Sequence, residues 1–383
     1  MMLNLKSLFS RKPKLLILVN LIQDIDILLP LAIAFKEQSA IEVEVGVIDH
    51  FWKQSPRIEY LLRQAGIKPQ ILCQSAVTAG RQPSLIGVKA VITASESNHA
   101  AHKTAYELTK RANQEQITTY TFQHGFENIG LTYSDEATPI TSVNFASQTI
   151  FLWGNLGTLH PHIPVSTQEK CVPVGCPKYA KPPASSIPFS HFRGKLVAIF
   201  ENLHWERYSD AYRASFVADL HQVVHQFPHI TFLIKPHHAG QWLTGKKNSK
   251  LPRYQGTLPQ ADNLVIADPT DPKWEGFTAP ALLEIADAAI TTPSTVALDA
   301  ARLGRPVAVV GYDLTLDKYH PLPTLRQFND WAEWVKELTA PTGYHRLKTV
   351  GQEFLDKQIV PGDAVAQVVD QVVSQMLLTE TAL

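Results

Sequence analysis

From Lys14 onward, short apolar runs alternate with stretches of helical period. Leu15–Val19 predicts a buried strand, Ile25–Gln38 a helix, Ile41–Ile48 a strand, Pro56–Ala65 a helix and Lys68–Cys73 a strand. Val88–Ala94, Ile117–Gln123 and Gln148–Trp153 read as further strands, with a helix at His99–Gln114 and an irregular stretch at Leu156–Pro173. Strands this short, separated by helical periods, require crossover connections and therefore a mostly parallel sheet covered on both faces.

The alternation breaks at Lys178–His191, where KYAKPPASSIPFSH concentrates Pro, Ser and Ala without period, and then restarts. Strands are expected at Leu196–Phe200, Ile230–Lys235, Leu264–Ala267, Ala288–Thr291 and Pro306–Val310. Helices are expected at Asp210–Phe227, Ala279–Ala286 and Ser294–Leu303. This predicts an α/β chain of two Rossmann-like domains facing a central cleft: residues 1–180, a Pro-rich linker at 181–191, and residues 192–383. The amphipathic stretch Asp363–Leu378, with Val365, Val368, Val369, Val372 and Val373 on one stripe, reads as a last helix that crosses back onto the first domain.

Length supports two domains, since 383 residues at ~100–200 per domain exceed one small module. Lys and Arg balance Asp and Glu at 35 each, so a surface that coats nucleic acid throughout is excluded. Cys73, Cys171 and Cys176 make neither a disulfide framework nor a CxxC metal site, which fits a reducing cytoplasm. Lys6, Arg11, Lys12 and Lys14, with Leu3, Leu5, Leu8 and Phe9, form a basic amphipathic start. Gln23, Asp24 and Asp26 interrupt the apolar run that follows, so the expectation is neither secretion nor a membrane span, but either a solvated terminus or peripheral contact with an anionic inner membrane face.

GxGxxG, GxxxxGK[ST], GxSxG and HExxH are all missing, which removes support for dinucleotide, P-loop, serine-hydrolase and zincin readings. What remains are polar residues where strands end, the edge at which parallel sheets bind ligands. Gln123-His124-Gly125 follows the strand TTYTF and offers an imidazole as general base, with Glu127 nearby on the acceptor-side loop. Lys235-Pro236-His237-His238 ends ITFLIK and suits a phosphate-bearing ligand; adjacent histidines on an extended segment point apart and make a poor metal pair. Ser294-Thr295 lies between a strand and a helix, where it either caps the helix or also binds an anion, and Asp299 lies one turn on, placed for ribose hydroxyls. Glu201 follows LVAIF as an acid, a nucleophile, a donor-sugar contact or a plain surface group, with His204 and Glu206 close by. His221 and His225 have helical zinc spacing but no acidic or Cys partner, and they read with His160-Pro161-His162 and His99…His102 as ordinary histidines.

A strand ending in QHG, the segment VPVGCPKY, a strand ending in KPHH and ADAAITTPSTVALDAARLGRPVAVV together resemble the GT-B glycosyltransferases of bacterial surface polysaccharides. The likeness, over Ile117–Val310, is to the group of CDP-glycerol glycerophosphotransferases, polysialyltransferases and CMP-Kdo transferases. It implies transfer from a cytidine-activated donor to a glycan or lipid-linked acceptor, without metal or cofactor. His124 matches the acceptor-activating His, His237 the His of the nucleotide-binding His-Pro motif, and Ser294-Thr295 the hydroxyl pair; His238 stands where Pro is expected. The competing expectations are a UDP-sugar-dependent GT-B transferase or epimerase, and a non-catalytic nucleotide-sugar or polysaccharide-binding protein.

Overall fold

The structure, a computed structural model, describes residues 12–178, 194–237, 242–243, 258–268, 271–274 and 277–381. The expected linker at 181–191, His238, Lys6 and Arg11 therefore lie outside the described residues. The chain divides into two compact units, one of residues 1–179 with 358–383 and the other of 180–357.

In the first unit, β1 (Lys14–Val19), α1 (Asp24–Lys36), β2 (Glu42–Ile48), α2 (Asp49–Gln54), α3 (Pro56–Gln64), β3 (Gln70–Leu72), α4 (Gln74–Thr78), β4 (Val88–Thr93), α5 (Lys103–Gln114), β5 (Thr118–Phe122), β6 (Thr149–Leu152), α6 (Val165–Gln168) and β7 (Cys171–Pro173) follow one another. The strands form one sheet in the order β3-β2-β1-β4-β5-β6-β7, with every pair parallel. β1, β4 and β6 are almost wholly buried, as their unbroken apolar runs require. The stretch expected to be irregular holds α6 and the edge strand β7, elements of four and three residues that no period can reveal.

The second unit carries β8 (Leu196–Glu201), α7 (Asp210–Gln226), β9 (Thr231–Pro236), β10 (Leu264–Ile266), α8 (Ala279–Ile285), β11 (Ala288–Thr291), α9 (Val296–Arg302), β12 (Val307–Val310), β13 (Thr324–Leu325), α10 (Phe328–Thr339) and α11 (Pro341–Gln358). Its parallel sheet runs β10-β9-β8-β11-β12-β13. The core includes Phe216 of α7, edge-on to Trp331 of α10 at 5.8 Å between centroids. Asn263, buried before β10, donates through Nδ2 to the carbonyls of Val224, Phe227 and Ile230 at 3.0, 3.1 and 3.0 Å, closing the C-terminal turn of α7. Asn263→Ala removes these bonds, although the Phe227 carbonyl keeps the Ile230 N–H at 3.0 Å, and is expected to cost about 1–3 kcal/mol in urea unfolding.

The last helix, α12 (Ala364–Thr381), belongs to the first unit, where it packs on α1. Ala364, Val368, Val369, Val372 and Met376 are its buried stripe, whereas Val365 and Val373 are only half-buried.

Both sheets reverse strand order beside their first strand, between β1 and β4 and between β8 and β11. In an open parallel sheet, the carboxyl ends of the two strands at such a switch diverge into a crevice. Glu201, Ser294 and Thr295 lie at the β8/β11 switch, whereas His124 follows β5 and His237 follows β9, each one strand away.

Candidate functional site

In the second unit, Glu201 is the last residue of β8 rather than the first loop residue, and is only 3% exposed, which removes the surface reading. Its Oε2 accepts the Leu203 N–H at 2.7 Å, while Oε1 has no hydrogen-bond partner among the described residues. Burial pushes this carboxyl up to about 7, against the pull of the Leu203 and His237 N–H groups. Asn202 ties the end of β8 to the end of β11. Its N–H reaches Thr292 Oγ1 at 3.1 Å, the Thr292 hydroxyl donates to Oδ1 at 2.6 Å, and Nδ2 donates to the Pro293 carbonyl at 3.1 Å.

His204, on the loop after β8, has its ring centroid 4.6 Å from that of His237, which follows β9. Its buried Nδ1 has no hydrogen-bond partner among the described residues, and burial, followed by the Arg213 charge, holds the imidazole down to about 4. Lys235 and His237 are two apart on one extended segment and both half-buried. Ser294 and Thr295 precede α9, which begins two residues later than the period suggests and is seven residues long. Ser294 Oγ accepts the Val296 N–H at 3.2 Å and lies 3.0 Å from Thr291 Oγ1, so it serves the turn as a cap; Thr295 makes no side-chain cap bond. Gly304, at φ +63°, closes that helix in the left-handed conformation that Gly adopts freely. Asp299 lies in the first turn of α9 and is buried.

In the first unit, Gln123 acts structurally: Oε1 accepts the Trp153 N–H at 3.0 Å and Nε2 donates to the Gly125 carbonyl at 2.9 Å, joining the ends of β5 and β6. This positions His124, whose N–H donates to Asn128 Oδ1 at 2.8 Å. Glu127 is half-buried on the same loop. The His124 ring stands edge-on to His102 at 4.9 Å between centroids, and His102 lies 5.2 Å from His99. His102 Nδ1 is 2.9 Å from Ser97 Oγ after β4. Burial, and then the neighbouring His99, hold His124 down to about 4; burial, with His124 and His99, holds His102 down to about 2. The His102 and His124 rings are thus neutral at neutral pH, and His102 is part of a histidine cluster rather than an ordinary solvated group.

At the switch point itself lies Asp24, fully buried, accepting the N–H groups of Asn20 and Leu21 on Oδ2 at 3.0 and 2.8 Å and the Ser95 hydroxyl on Oδ1. Desolvation raises it to about 7. Asp24 and Ser95 escape sequence reading because β1 and β4 bring them together from 71 positions apart. His221 and His225 stack with centroids 6.4 Å apart, and among the described residues no group of three or more His, Cys, Asp or Glu is placed to hold a metal.

No family model matches this chain, and no curated protein matches it in sequence. Solved structures do. The S. aureus MnaA–UDP co-structure is 13% identical with a TM-score of 0.63, over 96% of this chain and 97% of that one. The UDP-GlcNAc 2-epimerase from Neisseria meningitidis bound to UDP-GlcNAc is 12% identical at 0.62, over 94% and 100%. The wall teichoic acid polymerase TagF with CDPG is 11% identical at 0.60, over 97% and 90%. At these identities the likeness is one of fold. The two parallel α/β units have the GT-B architecture.

Proposed function

We propose that this chain is an enzyme acting on a nucleotide-activated sugar, and that the nucleotide is a uridine diphosphate. The observation that carries the reading is the crevice of the second unit. There a 3%-exposed carboxyl with an unpartnered oxygen, the Ser294-Thr295 turn, and the His204 and His237 rings lie at the strand-order reversal or one strand from it. The preference for uridine over the cytidine expected from the motifs rests on two of the fold neighbours, whose structures hold UDP or UDP-GlcNAc. The TagF structure with CDPG supports cytidine as the second reading.

The step common to both fates is departure of the nucleotide. The bond from the sugar's anomeric carbon to the phosphate oxygen breaks, its electron pair leaves with UDP, and Lys235, His237 and the Ser294-Thr295 N–H groups offset the charge that develops. In transfer, the acceptor hydroxyl gives its proton to His124 as its oxygen bonds the anomeric carbon. In epimerisation, a base takes the proton from C2 as the C1–C2 double bond forms and UDP leaves C1; UDP oxygen then bonds C1 again while a proton is delivered to the opposite face of C2, which inverts that centre. Neither fate calls for a metal from these residues.

Thermal shift with UDP, CDP and CMP separates the nucleotides: a ligand at 100 times its Kd raises stability by about 2.7 kcal/mol. UDP is expected to give the largest shift. Incubation with UDP-GlcNAc in EDTA, without acceptor, then separates the fates, since a C2 epimer or free UDP appears only if no acceptor is required. A shift with CDP or CMP and none with UDP restores the cytidine reading; no shift with any of the three removes the nucleotide altogether.

A further inference from the structure

Trp205 is 53% exposed on a loop that is otherwise tightly held. Arg213 of α7 is buried beneath it, with Nε on the Leu203 carbonyl at 2.9 Å and Nη2 on the Trp205 carbonyl at 2.8 Å. The Trp205 N–H donates to the Asn202 carbonyl at 3.1 Å, and Tyr208 returns an N–H to the Trp205 carbonyl at 3.3 Å. Single exposed apolar side chains are common on surfaces; what sets this one apart is that an indole, half in solvent, stands on a fixed backbone beside two rings of the candidate site. Its neighbour is His204, with centroids 5.0 Å apart and planes at 38°, and beyond His204 lies His237 at 4.6 Å. Three rings thus step from solvent to the end of β9.

The strand order decides which part of a nucleotide sugar meets this face. β8 lies between β9, which ends at His237, and β11, which leads to Ser294 and Asp299. A diphosphate held between those two contacts crosses the end of β8. With the ribose toward Asp299 on the β11 side, the role expected of that carboxylate, the sugar would meet His204 and Trp205 on the β9 side. The buried Nδ1 of His204, which lacks a hydrogen-bond partner among the described residues, suits a polar group of the ligand on that side.

We propose that Trp205 is the sugar-ring platform of this site, stacking its indole on the C–H face of the donor pyranose while His204 hydrogen-bonds a sugar hydroxyl. This rests on the nucleotide-sugar reading above and adds the group that distinguishes the sugar from the nucleotide. The stacking face selects a pyranose with C–H groups along one side.

Calorimetric titration of native protein, Trp205→Ala and Trp205→Phe with UDP, UDP-GlcNAc and UDP-glucose tests it. Native protein is expected to bind at least one of the two sugars more tightly than UDP. Trp205→Ala is expected to lose roughly five- to tenfold in affinity for that sugar, the scale of an aromatic stacking contact, with UDP unchanged. Trp205→Phe keeps most of the gain, and the melting temperatures of both variants stay native because the side chain is exposed. Equal weakening of UDP by Trp205→Ala overturns the assignment to the sugar. So does a Trp205→Ala protein that binds all three ligands normally, or a native protein that gains nothing from either sugar over UDP; these results leave the nucleotide reading standing. Native protein that binds neither UDP nor its sugars overturns both.

Discussion

His124→Gln is expected to lower turnover by about 10²–10⁴-fold while leaving the thermal shift given by the nucleotide intact, because a general base acts on the reacting proton and not on the donor's phosphates. The backbone at this position is held by its own N–H on Asn128 and by Gln123, neither of which depends on the imidazole, so the variant is expected to fold. The pH profile adds a second readout. With the ring held down to about 4, it is neutral and able to accept a proton throughout the range from pH 5 to 8. The acid limb of kcat/KM is therefore expected near pH 4, well below the ordinary histidine value of 6.5. His99→Phe, which takes away the neighbouring imidazole whose charge adds to the effect of burial, is expected to move that limb upward. Native-like turnover in His124→Gln, in an assay that resolves tenfold changes, assigns the base elsewhere, with Glu201 and Glu127 the next groups to test. An acid limb at 6.5 removes the role of the cluster.

Asp24→Asn is expected to abolish much of the alkaline loss of stability in the first unit. The carboxyl of Asp24 rises from an ordinary 3.8 to about 7 on folding, because burial penalises its charged form by more than its three hydrogen bonds favour it. A folded value above the unfolded one means that the folded chain holds the proton more tightly. The stabilisation is then complete below about pH 4 and is lost as pH rises toward and through 7, by about 4 kcal/mol in all. Glu201, raised from 4.5 to about 7, acts in the same direction in the second unit. His102 and His124 act in the opposite direction: their lowered values mean stability lost as pH falls below 6.5. Asparagine fits the same network, its oxygen accepting from Asn20 and Leu21 and its amide donating to Ser95. Urea unfolding at pH 5 and pH 8 is expected to show the stability of Asp24→Asn relative to native protein rising by about 3 kcal/mol from pH 5 to pH 8, since the histidines and Glu201 contribute equally to both proteins. An identical pH dependence in the two proteins shows that Asp24 is charged when folded.

The strands and crossover helices were legible along the chain because a parallel sheet buried on both faces demands unbroken apolar runs, and Leu15–Val19 and Ala288–Thr291 supply them. Elements set by tertiary pairing were not legible. β13 is two residues long and β7 three, too short for any period, and each exists because a neighbouring strand presents an edge. The helices α10 and α11 have no counterpart among the predicted elements, although Trp331, Trp334, Val335 and Leu338 carry a helical stripe along α10.

Glu201 shows the same division in chemistry. Its identity and its place at the end of an apolar run are properties of the sequence, and they suit a surface carboxylate as well as a catalytic one. Only the closing of β9 and β11 on either side of β8 removes it from water and leaves one oxygen without a partner, which raises its proton affinity. The cluster of His99, His102 and His124 follows the same rule. Separation along the chain hides it, and the packing of β4 beside β5 creates it, because desolvation and mutual repulsion depend on distances in space that no local pattern encodes.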